Sequence, residues 1–228
     1  HIVARVATML PISLYMEHRA AVERSLKGTH TFTYNGRSVT VKIEHVRVER
    51  EGAAAFAGMP PTTGRAIGID IGGRTVNVAL FLNGEFYKGA TIDQLGVEVA
   101  LDAVDKELQN RRARPLSMNE RINVQEAMRE GRAYQIIVGG DWIRVDEIAR
   151  QKFDQAAAAL AQELHSKVDI GAAEHVICFG GGAYPQFFGA VLQENINSLL
   201  IAERPETRNV YGALAGLVGV MVKKAKRK

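Results

Sequence analysis

Residues 67–76 read Ile-Gly-Ile-Asp-Ile-Gly-Gly-Arg-Thr-Val, and this stretch limits the possible folds more than any other. An apolar strand pattern delivers Asp70 to a glycine turn, and a second strand, over residues 76–82, leaves from it. The segment is therefore a hairpin with a carboxylate at the mouth of its turn. Glycine lets backbone amides approach phosphate oxygens, and Thr75 adds a hydroxyl donor. Gly72, Gly73, Arg74 and Thr75 are thus candidate phosphate contacts. Asp70 is placed to hold a magnesium-bound water or to orient an attacking one, which makes it the candidate catalytic and metal residue. The competing reading is a plain hairpin in which Asp70 only caps the loop.

A second apolar run, residues 176–179, goes straight into Gly180, Gly181, Gly182 and Ala183 and then into a helix over residues 185–196. That layout brings backbone beside a flat ligand or a phosphate at a helix N-terminus. A tight strand–helix connection is the alternative, but it usually needs one glycine rather than three.

Periodicity along the rest of the chain gives an α/β pattern. Residues 3–10 read as a strand and 13–25 as a helix. Residues 29–34 and 37–48 form a hairpin about Asn35-Gly36, the pair favoured in type I′ turns. Alternation over residues 39–48 predicts one buried and one wet face. Residues 52–56 suggest a short helix, and Met-Pro-Pro-Thr-Thr-Gly at 59–64 is the best linker. A second turn at Asn83-Gly84 leads to a strand at 85–88. Helices are expected over 97–110, 119–130 and 146–167, with a small hairpin, 134–138 and 142–145, between the last two. A short strand at 199–202 precedes a last helix from Thr207. Its apolar part, residues 210–222, is broken by glycines and reads as a buried helix rather than a membrane span.

Composition removes several function classes. One cysteine, Cys178, forbids an internal disulfide and fits a reducing cytoplasm and a packing role. The net charge of +4 comes largely from five basic side chains between Lys223 and Lys228. Such an end either touches nucleic acid or neighbouring subunits, or is simply a solvated terminus. No serine sits in a nucleophile elbow, and the six histidines show no metal-ligand spacing, with His165 and His175 ten apart. His18, His30 and His45 fall on expected surface elements. Trp142 reads as a packing anchor rather than a stacking platform. No secretory signal pattern opens the chain.

The two glycine motifs in this order, about a hundred residues apart, resemble the layout of the actin, sugar-kinase and heat-shock-chaperone superfamily. Within it the chain resembles the ParM/StbA-type actin-like ATPases of plasmid segregation. Met9-Leu-Pro-Ile-Ser-Leu-Tyr15 looks like that family's strand-ending segment. Thr31-Phe32-Thr33 lies in a similar hairpin ahead of the domain linker. Ile69–Thr75 is similar to its second phosphate motif, Gln94-Leu-Gly-Val97 to its S-L-G-V segment, and Phe179–Ala183 to its adenosine motif. Asn209-Val-Tyr-Gly212 lies where the family has a polar-x-x-Gly helix start.

The resemblance implies a ribonuclease-H-like, actin-type domain at residues 65–228, with a mixed five-stranded sheet flanked by helices. Residues 1–60 would be the C-terminal remnant of a sister domain. It implies ATP or ADP with magnesium as cofactors, Asp70 as the water- and magnesium-positioning group, and Gly72, Gly73, Arg74 and Thr75 on phosphate. Gly180, Gly181, Gly182 and Ala183 would hold adenosine, and Gly96 joins the cofactor-binding set through its motif. Arg150, Lys152 and Asp154 on the long helix are candidates for ribose, or else an ordinary solvated face. It further implies a cytoplasmic protein that self-associates into filaments with a DNA-bound adaptor as partner. Direct sequence-specific nucleic-acid binding and membrane contact are not expected. The family's first phosphate loop has no counterpart before Pro11, so one wall of the cleft is not in this sequence, and ATPase turnover by this chain alone is not expected. Two rivals share the motifs: a non-filament actin-like scaffold of cell division or pilus assembly, and a sugar or acetate kinase.

Overall fold

A computed structural model describes residues 2–58, 63–111 and 113–225. The first three strands are β1 (Ile2–Leu10), β2 (Gly28–Tyr34) and β3 (Arg37–Arg50), with helix α1 (Ile12–Leu26) between the first two. They form a sheet in the order β1-β3-β2, with β1 parallel and β2 antiparallel to β3. Asn35 and Gly36 have φ of 48° and 74°, so both central residues are left-handed, as a type I′ turn demands. Of the expected buried face of β3 only Val46 is fully buried. Tyr15 of α1, whose hydroxyl donates to the Val48 carbonyl, covers one end of the strand, and the hairpin tip stands clear of any helix.

The main sheet contains β4 (Arg65–Ile71), β5 (Thr75–Leu82), β6 (Glu85–Asp93), β9 (His175–Phe179) and β10 (Leu199–Ile201), in the order β10-β9-β4-β5-β6. β4, β9 and β10 run parallel, and β5 is antiparallel to both its neighbours. This is the mixed five-stranded sheet expected. Its strand β6 runs five residues beyond the expected 88, because the ladder with β5 continues through Gly89 and Ala90, which have little strand propensity of their own.

One face of this sheet carries α2 (Val97–Asn110), α3 (Met118–Glu130), α4 (Val145–Lys167) and α5 (Ala190–Asn195). α2 buries Val97, Ala100, Leu101, Val104 and Leu108, the three- and four-residue spacing of an amphipathic helix. α3 begins on a capping box, Ser117 with Glu120, and stops at Gly131, whose φ is 67°. A small hairpin, β7 (Gln135–Val138) and β8 (Asp141–Arg144), precedes α4. There the sequence reading of Trp142 is corrected. Trp142 is 66 % exposed. It pairs with the exposed Ile137, while Ile136 and Ile143, on the other face, pack on the core.

The opposite face is covered by a 3-10 turn over Ala54–Gly58 and the start of α1. Phe56 stacks on Phe81 at 4.1 Å, and Ile12 and Phe86 complete the cluster. The last helix, α6 (Arg208–Ala225), lies against this turn. A Cβ on Gly212 would fall 1.8 Å from the Ala54 carbonyl oxygen, so glycine here permits helix-to-backbone contact. Residues 210–222 are not the uniformly buried helix expected from sequence. Ala213 and Leu217 are buried, whereas Val210, Tyr211, Leu214 and Val218 are exposed, because the helix docks through the one face that carries Gly212, Ala213 and Leu217. Residues 59–62 of the expected linker and residues 226–228 of the basic end lie outside the described residues.

Candidate functional site

β4 and β9 are parallel neighbours in register, with Asp70 opposite Phe179, so both glycine segments begin at the same edge of the sheet. This is the carboxyl end of the parallel strands, where open α/β sheets bind ligands. Gly182 N–H donates to the Ile71 carbonyl at 3.0 Å, tying the second loop to the end of β4. Gly180 has φ of +89°, and a Cβ there would lie 2.5 Å from Asp70 Oδ1 and from the Ile71 oxygen. Only glycine fits. Gly182 is equally tight, its Cβ position lying 2.3 Å from Ile71 Cγ2. Gly181 differs: it is exposed and faces open space. Ala183 is buried, with its N–H on the Gly180 carbonyl, and shapes the loop from inside.

The first turn is closed by Gly72 N–H donating to the Thr75 carbonyl at 3.0 Å. Its carbonyls point the other way: Val97 N–H donates to Gly72 O at 3.0 Å and Glu98 N–H to Gly73 O at 2.7 Å. The start of α2 is therefore satisfied by the turn. Among the described residues nothing accepts from the N–H groups of Gly73, Arg74 or Gly181, which remain available to an anion. Gly96 is buried, and its Cβ position lies 2.3 Å from Gly73 O. Its place is beneath the turn, which it lets sit directly on α2. The Arg74 guanidinium pairs with Asp102 on α2 at 3.3 Å. Arg121 of α3 bridges Asp102, Glu98 and Asp105 behind it.

Asp70 is buried and accepts from Asn209 Nδ2 at 2.7 Å, and Asn209 Oδ1 in turn accepts from Gly52 N–H at 3.1 Å. Burial, reinforced by the nearby Glu51 carboxylate, pushes the Asp70 carboxyl up to about 7 against the opposing hydrogen bonds from Asn209 and Gly52. Burial also raises the Glu51 carboxyl, opposed by its hydrogen bond from Asn77 Nδ2 at 3.1 Å. Asn77 Oδ1 accepts from Thr91 Oγ1 at 2.8 Å, which fixes the amide. Sequence reading found Asp70 but missed Glu51, Asn77 and Asn209. Asn209 was noted only as a helix start. The signal available for Glu51 was a glutamate at the end of a strand, followed by glycine.

Beyond Gly181 lies a hollow of about 240 Å³ bordered by Gln125, Glu126, Arg129, Tyr184 and Glu206. Tyr184 Oη donates to Glu206 Oε2 at 2.6 Å, and the Arg129 guanidinium stands 5.5 Å above the Tyr184 ring. The helix facing the second glycine loop here is α3. On α4, Lys152 is part-buried and pairs with Glu107 of α2 at 3.7 Å, whereas Arg150 and Asp154 are exposed. Cys178 is fully buried beneath Asp70, with its thiol raised by desolvation, as befits a packing residue.

A mixed sheet that presents two glycine loops at the carboxyl ends of adjacent parallel strands defines an actin-type fold of the ParM-like kind. Solved structures bear this out over most of the chain. An archaeal actin homologue, Ta0583, in complex with ADP, is 15 % identical and superposes with a TM-score of 0.77, over 99 % of this chain and 73 % of that one. A non-polymerisable quadruple mutant of pCBH ParM is 20 % identical with a TM-score of 0.75, covering 92 % of this chain and 67 % of that one. A 15-stranded ParM filament from Clostridium botulinum is 20 % identical with a TM-score of 0.73, over 91 % and 64 %. The chain thus spans about two thirds of these relatives. No protein-family model matches the sequence, and no curated protein does. Among the described residues no helix is long and apolar enough to cross a membrane.

Proposed function

We propose that this chain is the nucleotide-binding part of an actin-like ATPase of the ParM/StbA plasmid-segregation type, taking ATP or ADP with magnesium. The observation that carries this is the meeting of Asp70 with both glycine loops at one sheet edge: Gly180 has room for no side chain against Asp70, and free amides of Gly73, Arg74 and Gly181 flank it. Phosphate oxygens accept from those amides, and Thr75 supplies a hydroxyl beside them. The second loop, Gly180–Ala183, would hold the purine end beside the hollow that Tyr184 and Arg129 border. The solved ADP complex of the archaeal actin homologue, which shares the fold, supports the nucleotide class.

The residues also fit a divalent cation. Asp70 and Glu51 are carboxylates held above their usual range by burial, and a cation restores their charge. Among the described residues no three His, Cys, Asp or Glu side chains cluster, so the remaining ligands would be phosphate oxygens and water. The cation would neutralise charge developing on the transferred phosphoryl group. Asp70 and Glu51, held by Asn209 and Asn77, would orient the attacking water.

In this reading residues 1–60 belong to the first actin-like domain and residues 65–228 form the second. This sequence provides one wall of the cleft, so it binds nucleotide weakly and does not turn it over by itself. The assembled protein is cytoplasmic, polymerises, and works with a DNA-bound adaptor; a ParM filament among the structures sharing its fold supports the polymer.

Calorimetry with a non-hydrolysable ATP analogue and magnesium tests the site. Micromolar binding that is lost in an Asp70→Ala, Gly181→Val double variant is expected. Valine at 181 meets open space, so that change blocks the loop without disturbing the fold. Undiminished binding by the variant overturns the assignment.

A further inference from the structure

At the end of the main sheet opposite Asp70, the helix layer stops short. α4 ends at Lys167, leaving Leu80 and Leu82 of β5 and Tyr87 of β6 around a hollow of about 410 Å³. Ligand pockets commonly begin at roughly 300 Å³. The register of β5 and β6 shifts between Leu80 and Phe81. Phe86 consequently packs on the opposite face with Phe81, and Tyr87 is left 70 % exposed beside the hollow. Such an irregularity re-aims a side chain at a sheet edge.

The rim is basic. Arg65 and Lys88 line it, and neither makes an ion pair among the described residues. Lys167 joins them, shared with Glu163 at 3.6 Å. The hollow also abuts an open strand edge. β6, nine residues long, pairs with β5 on one side and with nothing on the other among the described residues. A second, shallower groove of about 660 Å³ continues from Lys167 along Thr91, Ile92 and Asp93 of the same strand. Long edges without proline or a covering element are templates for another strand.

We propose that the hollow and the β6 edge form one docking socket for an extended, acidic segment of a partner protein. The segment adds to β6 by main-chain hydrogen bonds and seats one apolar side chain among Leu80, Leu82 and Tyr87. Its carboxylates meet Arg65 and Lys88. Main-chain pairing supplies affinity in such strand addition, and the pocket and rim charges supply specificity. The socket is independent of the nucleotide reading, since it lies at the other end of the sheet.

The test titrates a capped peptide, two aspartates followed by alternating leucine and threonine, into the full isotope-labelled chain. Amide shifts confined to β6 and Leu82, with slowed exchange of the outer β6 amides, are expected. Arg65→Glu with Lys88→Glu should weaken binding roughly tenfold, two exposed charge pairs each contributing up to about fivefold. Both side chains are exposed, so this double variant keeps its fold. Leu82→Asp should weaken binding by a similar factor. A peptide with asparagine in place of aspartate should bind the charge-reversed and parent chains alike. Binding unchanged by these variants, shifts elsewhere on the molecule, or no saturation at millimolar peptide each overturns the proposal. So do β6 shifts that grow with protein concentration in the absence of peptide, which assign the socket to a second copy of the chain.

Discussion

Replacing Asp70 by asparagine should make the protein more stable, and the gain should depend on pH in a calculable way. The carboxyl is raised from 3.8 to about 7, chiefly because burial penalises the charged form. That is about three pH units at roughly 1.4 kcal/mol each, or about 4 kcal/mol. Between pH 4 and 7 the folded chain keeps a proton on Asp70 that the unfolded chain has lost. The native state therefore binds more protons, and stability falls as pH rises through this window, levelling off above 7. Against a total of about 5–15 kcal/mol this is a large share. Asparagine keeps an oxygen to accept from Asn209 Nδ2 but has no charge to desolvate. Urea unfolding of both proteins at pH 4, 6 and 8 reads the difference, which cancels groups common to both. We expect equal stability within about 1 kcal/mol at pH 4, and the variant ahead by up to about 4 kcal/mol at pH 8. Parallel pH curves would refute the claim that Asp70 is strained by burial.

Gly180→Ala should cost at least about 2–3 kcal/mol, because its φ of +89° and its 2.5 Å approach to Asp70 both oppose a side chain. Gly181→Ala should stay within about 0.5 kcal/mol of the parent in thermal unfolding, since its Cβ meets open space. Ser117→Ala removes half of the capping box of α3 and should lower stability by about 1 kcal/mol, a fall of about 2–4 °C in midpoint for a chain of this size.

Local pattern made most of the fold legible. The apolar spacing of α2 gave its bounds, and both Asn-Gly turns have the paired left-handed residues their type requires. The two glycine motifs were joined into one site through the resemblance to the actin-type layout, and the register of β4 with β9 brings their loops together. What escaped was long-range. Asn209 is 139 positions from Asp70 and binds it only because α6 returns across the 3-10 turn at 54–58. Nothing in the sequence around either residue records that return. Glu51 and Asn77 likewise become a pair through the meeting of β3 and β5 with that turn. Trp142 was misplaced because residue type was weighted above alternation: in β8 the inward position belongs to Ile143.

The bonds from Val97 and Glu98 to the carbonyls of Gly72 and Gly73 have a mechanical consequence. With Gly96 pressed against Gly73, the turn has no slack relative to α2. Arg121 then couples α2 to α3, and α3 borders the hollow beside Gly181. The first loop is thus joined, through α2 and the Arg121 ion pairs, to the helix that borders the second. Under the nucleotide-binding role proposed above, the two ends of the ligand would be gripped by a single lever rather than by separate fingers.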